Sequence, residues 1–483
     1  MDNLFLMRFS ELSHVLGGQL FTWEGKQNAD PHAQGFSSIS IDSRSVSRGG
    51  LFVALKGEST DGSRFVDAAF AKGAAGALVP SSAMDDPELD LKGSAQKWRG
   101  VLIAVKDTLK GLQDAAKAYL DKFPSLLKIG ITGSSGKTTT KEIAAAIIGQ
   151  EKCVIMNEGN LNTETGLPLA VFTVRAHHEV GIFEAGINRK GEMANLVKVL
   201  NPSTALITNI GTAHIGILGS KEGIAEEKKK IFSGVNTALI PESDEFRNFL
   251  ASGINAKTVF YGASSLSGLR EIKDLGIEGT EVTWEGTKVK LSLPGKHNVA
   301  NMIAAIALAL ELNVSSQSIC RGIEAVKPIF GRGEILYGRT TLLRDCYNAS
   351  PEAMHAALDF CDRLQWNGRK VYVLGSMLEL GDTSCETHTS LGKRLSSCKS
   401  DMLFLFGEPL CHAVNVLKDQ GKNIPFFHTS DMHELSRALD AYFGNQHTAD
   451  TKGDLVLLKG ARGYEMERLT EVLTGQKGEP HVS

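Results

Sequence analysis

The residues best suited to chemistry form a glycine-rich loop that ends in a lysine and two threonines. The loop lies between an apolar run at 126–131 and a helix-like stretch at 139–148. Small residues let backbone N–H groups surround phosphate oxygens, and the following helix directs its positive end at them. The lysine would reach the β and γ phosphates, and the first threonine would coordinate Mg²⁺; alone, the pattern does not distinguish ATP from GTP. The predicted nucleotide-binding residues are Thr132, Gly133, Ser134, Ser135, Gly136, Lys137, Thr138 and Thr139.

The elements around this loop predict an α/β protein of three domains, since a chain of 483 residues is too long to fold around a single hydrophobic core. Short apolar runs broken by Gly and Ser indicate a small mixed α/β domain over 1–108. Strands alternating with helices indicate a central P-loop ATPase-type domain over 109–326, with a parallel sheet wrapped by helices. The same alternation over 327–483 indicates a Rossmann-like C-terminal domain.

Several elements are predicted individually. The N-terminal apolar runs are 38–41, 51–55 and 77–79. The central buried strands are predicted at 126–131, 180–183 and 205–208, and the C-terminal ones at 341–343, 370–374, 402–406 and 455–458. Helices are predicted at 139–148 and 298–312, and the segment 85–100 is predicted to be a loop.

Composition and charge exclude several classes of protein. Hydrophobic residues make up 42% and charged residues 22%, and the formal net charge of −3 gives no broad basic field for nucleic acid. The seven cysteines are scattered without a C-x-x-C pair, which argues against a disulfide framework or zinc site. No apolar run reaches membrane-spanning length, and the N-terminus lacks a cleavage-site pattern. We therefore expect a cytoplasmic protein without membrane insertion, and we expect a monomer.

Three further residues could do chemistry, although each has an ordinary structural interpretation. Glu184 ends an apolar strand, where ligands gather in open α/β sheets, but strand ends also carry solvated carboxylates. His214 follows an apolar run, and a lone histidine is more often structural than a ligand. Lys228 lies in a run of charges at 226–230 that is also typical of a solvated helix face.

Ordered motifs along the chain narrow these alternatives. They are Asn160-Leu-Asn-Thr-Glu-Thr-Gly-Leu-Pro168, Phe183-Glu-Ala-Gly186, Thr208-Asn-Ile-Gly-Thr-Ala-His214, Glu226-Glu-Lys-Lys-Lys-Ile-Phe232, Gly295-Lys-His-Asn-Val-Ala-Asn301, Gly331-Arg332 and Asp345-Cys-Tyr-Asn348. The series resembles the Mur ligase family along nearly the whole chain. It looks most like the members that join D-alanyl-D-alanine to UDP-N-acetylmuramoyl-tripeptide in peptidoglycan synthesis.

The terminal regions carry the same resemblance. Ile41-Asp-Ser-Arg44 and Gly49-Gly-Leu-Phe-Val-Ala-Leu-Lys-Gly57 are similar to the UDP-sugar domain of those members. Met377-Leu-Glu-Leu-Gly381 and Leu458-Lys-Gly-Ala-Arg462 are similar to their C-terminal domain. The chain departs from the pattern at four positions: Ser63 stands where His is usual, Ser376 where Asp is usual, Cys346 where Ser is usual and Ser350 where Asn is usual.

The resemblance implies an ATP-dependent amide ligase. A substrate carboxylate would accept the γ-phosphoryl group of ATP, and the incoming amine would attack the acyl phosphate to give amide, ADP and phosphate. Because two anions must approach each other, cations have to screen their charge. The implied catalytic residues are Lys137, Glu184, His214 and Lys228. Two Mg²⁺ ions are implied, one near Thr138 and Glu184 and a second near His214 and a CO₂-derived carbamate on Lys228.

The remaining site residues also follow from the resemblance. Asn301 and Arg332 would contact adenine and the γ-phosphate, and Asp345 would hold the ribose. His297 and Asn298 could instead cap the following helix. Ser43 and Arg44 would bind the UDP moiety, and Asn160, Thr163 and Glu164 the muramoyl-peptide or acyl-phosphate end. Each of these five could also be a turn or cap residue.

Three alternatives remain. A sister Mur ligase adds the third peptide residue, but its Asp-Asn-Pro-Arg motif for diaminopimelate is absent from this sequence. A folylpolyglutamate synthase shares the central and C-terminal domains but lacks the UDP-sugar domain. A non-catalytic, nucleotide-switched module that binds the precursor would hold or hydrolyse nucleotide without an acceptor amine.

Overall fold

A computed structural model describes residues 5–22, 35–57, 60–419, 424–444 and 453–476. The strands are β1 (Met7–Arg8), β2 (Gln19–Phe21), β3 (Gly35–Phe36), β4 (Ile39–Ser40), β5 (Leu51–Val53), β6 (Gly76–Pro80), β7 (Val101–Val105), β8 (Leu127–Thr132), β9 (Val154–Met156), β10 (Val180–Glu184), β11 (Thr204–Ile207), β12 (Thr237–Pro241), β13 (Lys257–Tyr261), β14 (Leu269–Asp274), β15 (Thr280–Trp284), β16 (Thr287–Leu291), β17 (Glu334–Tyr337), β18 (Thr340–Arg344), β19 (Lys370–Gly375), β20 (Met402–Phe406), β21 (Phe426–Thr429) and β22 (Asp454–Lys459).

The helices are α1 (Phe9–Leu16), α2 (Val66–Ala71), α3 (Leu91–Trp98), α4 (Thr108–Leu120), α5 (Lys137–Ile148), α6 (Gly166–Val171), α7 (Glu192–Leu200), α8 (Ile215–Leu218), α9 (Lys221–Lys229), α10 (Arg247–Ala251), α11 (Lys296–Glu311), α12 (Ser316–Glu324), α13 (Pro351–Arg363), α14 (Ser384–Leu395), α15 (Cys411–Asp419), α16 (Met432–Gly444) and α17 (Thr470–Thr474). Within the described ranges, no helix is both long enough and apolar enough to cross a bilayer.

The chain divides into two compact units. The first comprises Met1–Gly130, Cys153–Ile187 and Gly191–Ser203, and the second comprises Ile131–Lys152, Asn188–Lys190 and Thr204–Ser483. The division passes through β8, so the nucleotide loop that follows this strand belongs to the second unit.

The N-terminal part of the first unit is a five-stranded mixed sheet in the order β2-β7-β6-β5-β4. β2 pairs antiparallel with β7, and the other neighbours are parallel. One face of the sheet packs against α2 and α3 through a buried apolar cluster that includes Phe52, Val66, Phe70, Leu91 and Leu102. The predicted small mixed α/β domain is therefore present in this part of the chain.

The strands that precede the candidate site are parallel, and β10, β11 and most of β12 are buried. In the first unit, β10 pairs parallel with β9, and all five residues of β10 are buried. In the second unit, β11, β12 and β13 lie side by side in parallel. Parallel strands buried on both faces carry continuous apolar runs, which is the pattern present in the sequence.

The C-terminal part of the second unit is a six-stranded sheet in the order β17-β18-β22-β19-β20-β21. All neighbouring strands are parallel except β17 and β18. Alternate residues of its strands enter two separate cores, because successive side chains of a strand point to opposite faces. Tyr372 and Leu374 pack with α13–α15, whereas Val371 and Val373 pack with α16 and α17. Helices on both faces confirm the predicted Rossmann-like layering.

Two details differ from the sequence predictions. The segment 85–100 is not a loop, because it contains α3, whose start is capped by the Asp90 carboxylate accepting from the Gly93 N–H. A three-stranded antiparallel sheet of β14, β15 and β16 lies in the second unit where no strand was predicted. Charged residues occupy the exposed positions of this sheet. Its strands therefore lack the apolar runs from which the other strands were predicted.

Candidate active site

The glycine-rich loop of the second unit brings two lysines to one carbonyl oxygen. Lys137 Nζ donates to Gly133 O at 2.9 Å, and Lys228 Nζ donates to the same oxygen at 3.0 Å. Lys137 begins α5, and Gly136 before it has a φ of +77°. The backbone of the loop therefore converges with two cationic side chains at the N-terminus of a helix, an arrangement suited to binding polyphosphate.

The segment after β11 holds the nucleotide loop in shape. Thr208 Oγ1 donates to Ser135 O at 2.6 Å, and Asn209 Nδ2 donates to the same oxygen at 3.0 Å. Asn209 Oδ1 in turn accepts from the backbone N–H of Ser135 at 3.1 Å. Sequence reasoning missed this function of Thr208 and Asn209, although both belong to the motif that ends at His214. Their hydrogen bonds fix the curvature that a phosphate-binding loop needs.

Asn301 lies directly against the loop rather than apart from it. Its Oδ1 accepts from Thr140 Oγ1 at 3.4 Å, and a Cβ placed on Gly136 would lie 2.2 Å from that oxygen. Asn298 donates to Pro294 O at 2.8 Å, while the N-cap of α11 is Gly295 and has no side-chain cap. The helix-cap alternative for Asn298 is therefore wrong: Asn298 holds the Pro294 carbonyl and accepts from Asn301 Nδ2 at 3.2 Å.

Gly136→Ala is expected to weaken ATP binding by about tenfold or more, because backbone strain and the clash with Asn301 would both distort the loop. Isothermal titration with ATP measures the effect. Gly234→Ala is the matched control, since Gly234 has a φ of +78° but no heavy atom within 4 Å of the place that a Cβ would occupy. If both variants weaken ATP binding equally, the strain of alanine at a positive φ accounts for the loss. The close approach of residue 136 to Asn301 would then make no contribution.

Lys228 differs sharply from its lysine neighbours. Its side chain is 1% exposed, although it lies near the end of α9 in a run of charges. Lys229 instead donates to Phe249 O and Ser252 Oγ, away from the loop, and Lys230 pairs with Glu227 at 2.5 Å. Of the three lysines, Lys228 is therefore the one that joins α9 to the nucleotide loop.

His214 meets the carboxylate of Glu379, which lies in the Met377-Leu-Glu-Leu-Gly381 motif but had no predicted role. Its Nδ1 lies 2.7 Å from Glu379 Oε2. The pair does not form a hydrogen bond, so the contact is an electrostatic one. The interaction with His214 is the main reason that the pKa of Glu379 lies below its usual range. Nearby, the Thr212 N–H donates to Glu352 Oε1 at 2.8 Å.

Glu184 belongs to the first unit, where two asparagines hold it. Asn157 brackets its backbone, accepting from the Glu184 N–H at 2.8 Å and donating to Glu184 O at 3.1 Å. Asn162 Nδ2 donates to Glu184 Oε1 at 2.7 Å. The carboxylate is 2% exposed at the end of β10, so it is a buried, oriented group and not a solvated strand end.

The predicted C-terminal nucleotide contacts have basic and aromatic partners. Arg332 stacks its guanidinium 4.0 Å from the centre of the Tyr347 ring. Asp345 Oδ2 pairs with the buried Lys459 at 2.6 Å. Lys459 was missed as an individual residue, although it lies in the Leu458–Arg462 motif. Arg462, in the same motif, lies 5.8 Å from the Tyr347 ring. This cluster presents guanidinium groups suited to forked phosphate contacts.

The N-terminal substrate candidates form an exposed turn. Arg44 forks onto the Asp42 carboxylate, with Nε–Oδ1 at 3.0 Å and Nη2–Oδ2 at 2.8 Å. The hydrogen bonds from Arg44 lower the pKa of Asp42 to about 2. Ser43 lies half-buried between them. Asp42 belongs to the same motif but had no predicted role, and it orients the guanidinium that was predicted to meet UDP.

The other substrate candidates make local contacts in the first unit. Thr163 Oγ1 accepts from the Gly166 N–H at 3.2 Å at the start of α6, which is the cap-like contact that its residue type also allows. Glu164 Oε1 accepts from Asn195 Nδ2 at 2.6 Å. Asn160 is exposed, and its carbonyl accepts from the Asn162 N–H.

The four departures from the family pattern have ordinary structural places. Ser350 caps α13 by accepting from the Ala353 N–H at 3.3 Å, and Ser376 donates to Phe406 O at 3.2 Å while fully buried. Cys346 is buried among apolar residues, and burial raises the pKa of its thiol to about 12. The Cys346 thiol therefore stays protonated and is chemically inert. Ser63 is also buried, and its N–H donates to Asp61 Oδ1.

Cys153, His177 and His178 could present three ligand atoms to a metal ion, all within 4.8 Å of one another. However, His178 Nδ1 accepts from the Arg175 N–H at 2.9 Å. A neutral ring with that acceptor carries its proton on Nε2, so binding a metal through Nε2 would cost the hydrogen bond. We assign no metal to this cluster.

Comparisons with known proteins identify the family. Three models of the Mur ligase family match the chain: the catalytic domain over 35–119, the middle domain over 131–309 and the glutamate ligase domain over 331–462. A UDP-N-acetylmuramoyl-tripeptide–D-alanyl-D-alanine ligase of Treponema pallidum is 41% identical over 452 residues, covering 92% of this chain and 95% of that protein. The chain belongs to the Mur ligase family.

Solved structures of other Mur ligases have the same architecture. The structure of MurF from Acinetobacter baumannii is 28% identical with a TM-score of 0.83, covering 96% of this chain and 98% of that one. The MurF ligase from Thermotoga maritima, solved in complex with ADP, is 27% identical with a TM-score of 0.73, covering 91% and 97%. The α/β fold predicted for this Mur ligase from its motifs is therefore confirmed.

Proposed function

We propose that this Mur ligase uses ATP to join D-alanyl-D-alanine to UDP-N-acetylmuramoyl-tripeptide, releasing ADP and phosphate. The observation that carries the proposal is the likeness, over nearly the full length of both chains, to a Treponema pallidum protein of that name. Lys137 on Gly133 O supports it, because its ammonium supplies positive charge that phosphoryl transfer to a carboxylate needs.

The proposed reaction proceeds in two steps. The terminal carboxylate of the tripeptide attacks the γ-phosphorus of ATP, forming an acyl phosphate and ADP. The amine of the dipeptide then attacks the acyl carbon, and the C–O bond to phosphate breaks as the amide forms. Lys137 neutralises the β and γ phosphates during the first step, and the loop held by Thr208 and Asn209 fixes their position.

The donor set fits Mg²⁺. Thr138 offers a hydroxyl and Glu184 a carboxylate, both hard oxygen donors, and His214 offers a ring nitrogen. Bound Mg²⁺ would neutralise phosphate charge and orient the reacting groups. We assign one ion to Thr138 and Glu184, and a second to His214 and Lys228.

A carbamate on Lys228 would complete the second set. The ammonium would first lose one proton, and the neutral amine would then add to CO₂ and lose a second, so a cationic donor would become an anionic oxygen ligand. Burial of this lysine within hydrogen-bond distance of Gly133 O supports the assignment, because the group lies beside the loop where the cation is needed.

The remaining assignments complete the proposal. Asn301, Arg332 and Asp345 contact ATP, Ser43 and Arg44 hold UDP, and Asn160, Thr163 and Glu164 face the peptide end. The domain limits are 1–108, 109–326 and 327–483. The protein acts as a monomer in the cytoplasm, a location that suits seven free cysteines.

An acceptor panel tests the proposed function. The full chain is incubated with ATP, Mg²⁺, UDP-N-acetylmuramoyl peptides and candidate amines, and the products are read by mass. We expect D-alanyl-D-alanine to be joined to a UDP-tripeptide, with one ADP and one phosphate per amide. Joining of a single amino acid to a UDP-dipeptide would identify a sister ligase. Phosphate release without an acceptor would indicate a nucleotide-switched module.

A further inference from the structure

Two residues with left-handed backbones meet beside the candidate site. His214 has a φ of +66° and Glu379 a φ of +62°, and both carry a Cβ. This conformation is uncommon for such residues and persists where the surroundings hold it, often at functional sites. The side chains meet at 2.7 Å between His214 Nδ1 and Glu379 Oε2.

The backbones of the two segments also interlock. The Gly216 N–H donates to Glu379 O at 3.3 Å. A Cβ on Gly216 would lie 2.4 Å from Gly381 N, so only glycine allows this approach. The contact between His214 and Glu379 is therefore one part of a packed junction between the segment after β11 and the segment after β19.

A buried histidine fixes the segment that carries Glu379. His388 Nδ1 donates to Ser384 O at 2.8 Å, and its Nε2 accepts from the Met377 N–H at 3.2 Å. Burial is the main cause that lowers the pKa of His388, which agrees with the neutral ring that an accepting Nε2 requires. The segment is thus anchored two residues before Glu379.

We propose that Glu379 is a positioning residue for His214: its carboxylate, 2.7 Å from Nδ1, electrostatically favours the tautomer protonated at Nδ1 and so leaves the Nε2 lone pair available to a divalent cation. Metal-binding histidines commonly present their other ring N–H to a carboxylate, which fixes the tautomer and raises ligand basicity. The inference rests on the proposed cation-binding role of His214. Glu379 comes from the C-terminal region, so the contact of this region with His214 would favour cation binding. Cation binding would favour the contact in return, because coupling between two equilibria is reciprocal.

Mn²⁺ affinity tests this inference. The full chain with ADP is titrated with Mn²⁺, and free Mn²⁺ is measured by electron paramagnetic resonance. Glu379→Gly removes the carboxylate while suiting a positive φ, so folding is preserved. We expect the Mn²⁺ dissociation constant to rise roughly 10–100-fold, with an unchanged or higher Tm. Glu285→Gly is the control, since exposed Glu285 also has a positive φ, of +45°, and its substitution should leave Mn²⁺ affinity unchanged.

His214→Ala separates this inference from the proposed function. If His214→Ala weakens Mn²⁺ binding while Glu379→Gly leaves it within twofold of the unsubstituted protein, the positioning role is wrong and the cation-binding role stands. If His214→Ala leaves Mn²⁺ binding unchanged, the cation-binding role fails and this inference fails with it.

Discussion

Replacing Lys137 with alanine is expected to lower kcat for ATP-dependent ligation by roughly 10³–10⁵-fold, the range for a cation that stabilises a transferring phosphoryl group. The ammonium of Lys137 lies against the backbone of the loop, where it donates to Gly133 O and, at 3.5 Å, to Ser134 O. Its loss would leave the developing phosphate charge without its nearest side-chain cation in the loop. The measurement is steady-state ligation followed by phosphate release at saturating ATP.

Thermal unfolding and a matched variant keep this result interpretable. Lys152→Ala removes a lysine shortly after the same helix, and we expect its kcat to stay within twofold of the unsubstituted protein. The Tm of Lys137→Ala should stay close to that of the parent, because the side chain is only half-buried. A kcat loss below tenfold with an intact Tm would show that Lys137 does not screen the phosphates.

Replacing Lys228 with alanine is expected to lower kcat by about 10²–10³-fold, the usual loss when one charge-stabilising group is removed. Lys228 is buried and donates to the same loop carbonyl as Lys137, so its role is local to the phosphates. As an unmodified ammonium it would screen charge directly, and as a carbamate it would hold a cation. Both states predict loss of activity, so a second readout is needed to separate them.

Lys229→Ala provides the control, because its Nζ points to Phe249 O and Ser252 Oγ instead of the loop. We expect this variant to keep its activity. Incubation with ¹³C-bicarbonate should give a carbamate resonance that Lys229→Ala keeps and Lys228→Ala loses. A resonance that survives in Lys228→Ala would place the modification elsewhere. If neither the unsubstituted protein nor any variant shows the carbamate resonance, Lys228 acts as an unmodified ammonium.

The parallel cores could be predicted from the sequence because buried parallel strands are encoded as apolar runs. Val180–Phe183 and Lys370–Leu374 each lie within an observed strand. The α3 helix was missed because it contains a glycine and follows the acidic residues and proline of 85–90, which are typical of a loop. β14 was missed because five of its six residues are exposed. An exposed strand needs few apolar residues, so its sequence lacks the apolar run from which the buried strands were predicted.

The candidate site could be predicted only where its chemistry is encoded locally. The glycine loop and Lys137 are contiguous, so their pattern indicates phosphate binding. Glu379 and Lys459 could not be assigned in the same way, because their partners, His214 and Asp345, lie 165 and 114 residues away along the chain. Such pairings arise from the topology of the folded sheet rather than from spacing.

Isotope transfer tests the central claim most directly. The terminal carboxylate of the UDP-tripeptide is labelled with ¹⁸O, and the phosphate released during ligation with D-alanyl-D-alanine is analysed by mass. An acyl phosphate requires one substrate oxygen to leave with phosphate, so we expect one ¹⁸O in each phosphate formed. Unlabelled phosphate alongside amide product would show that the carboxylate never accepts the γ-phosphoryl group, and the mechanism proposed for this site would be wrong.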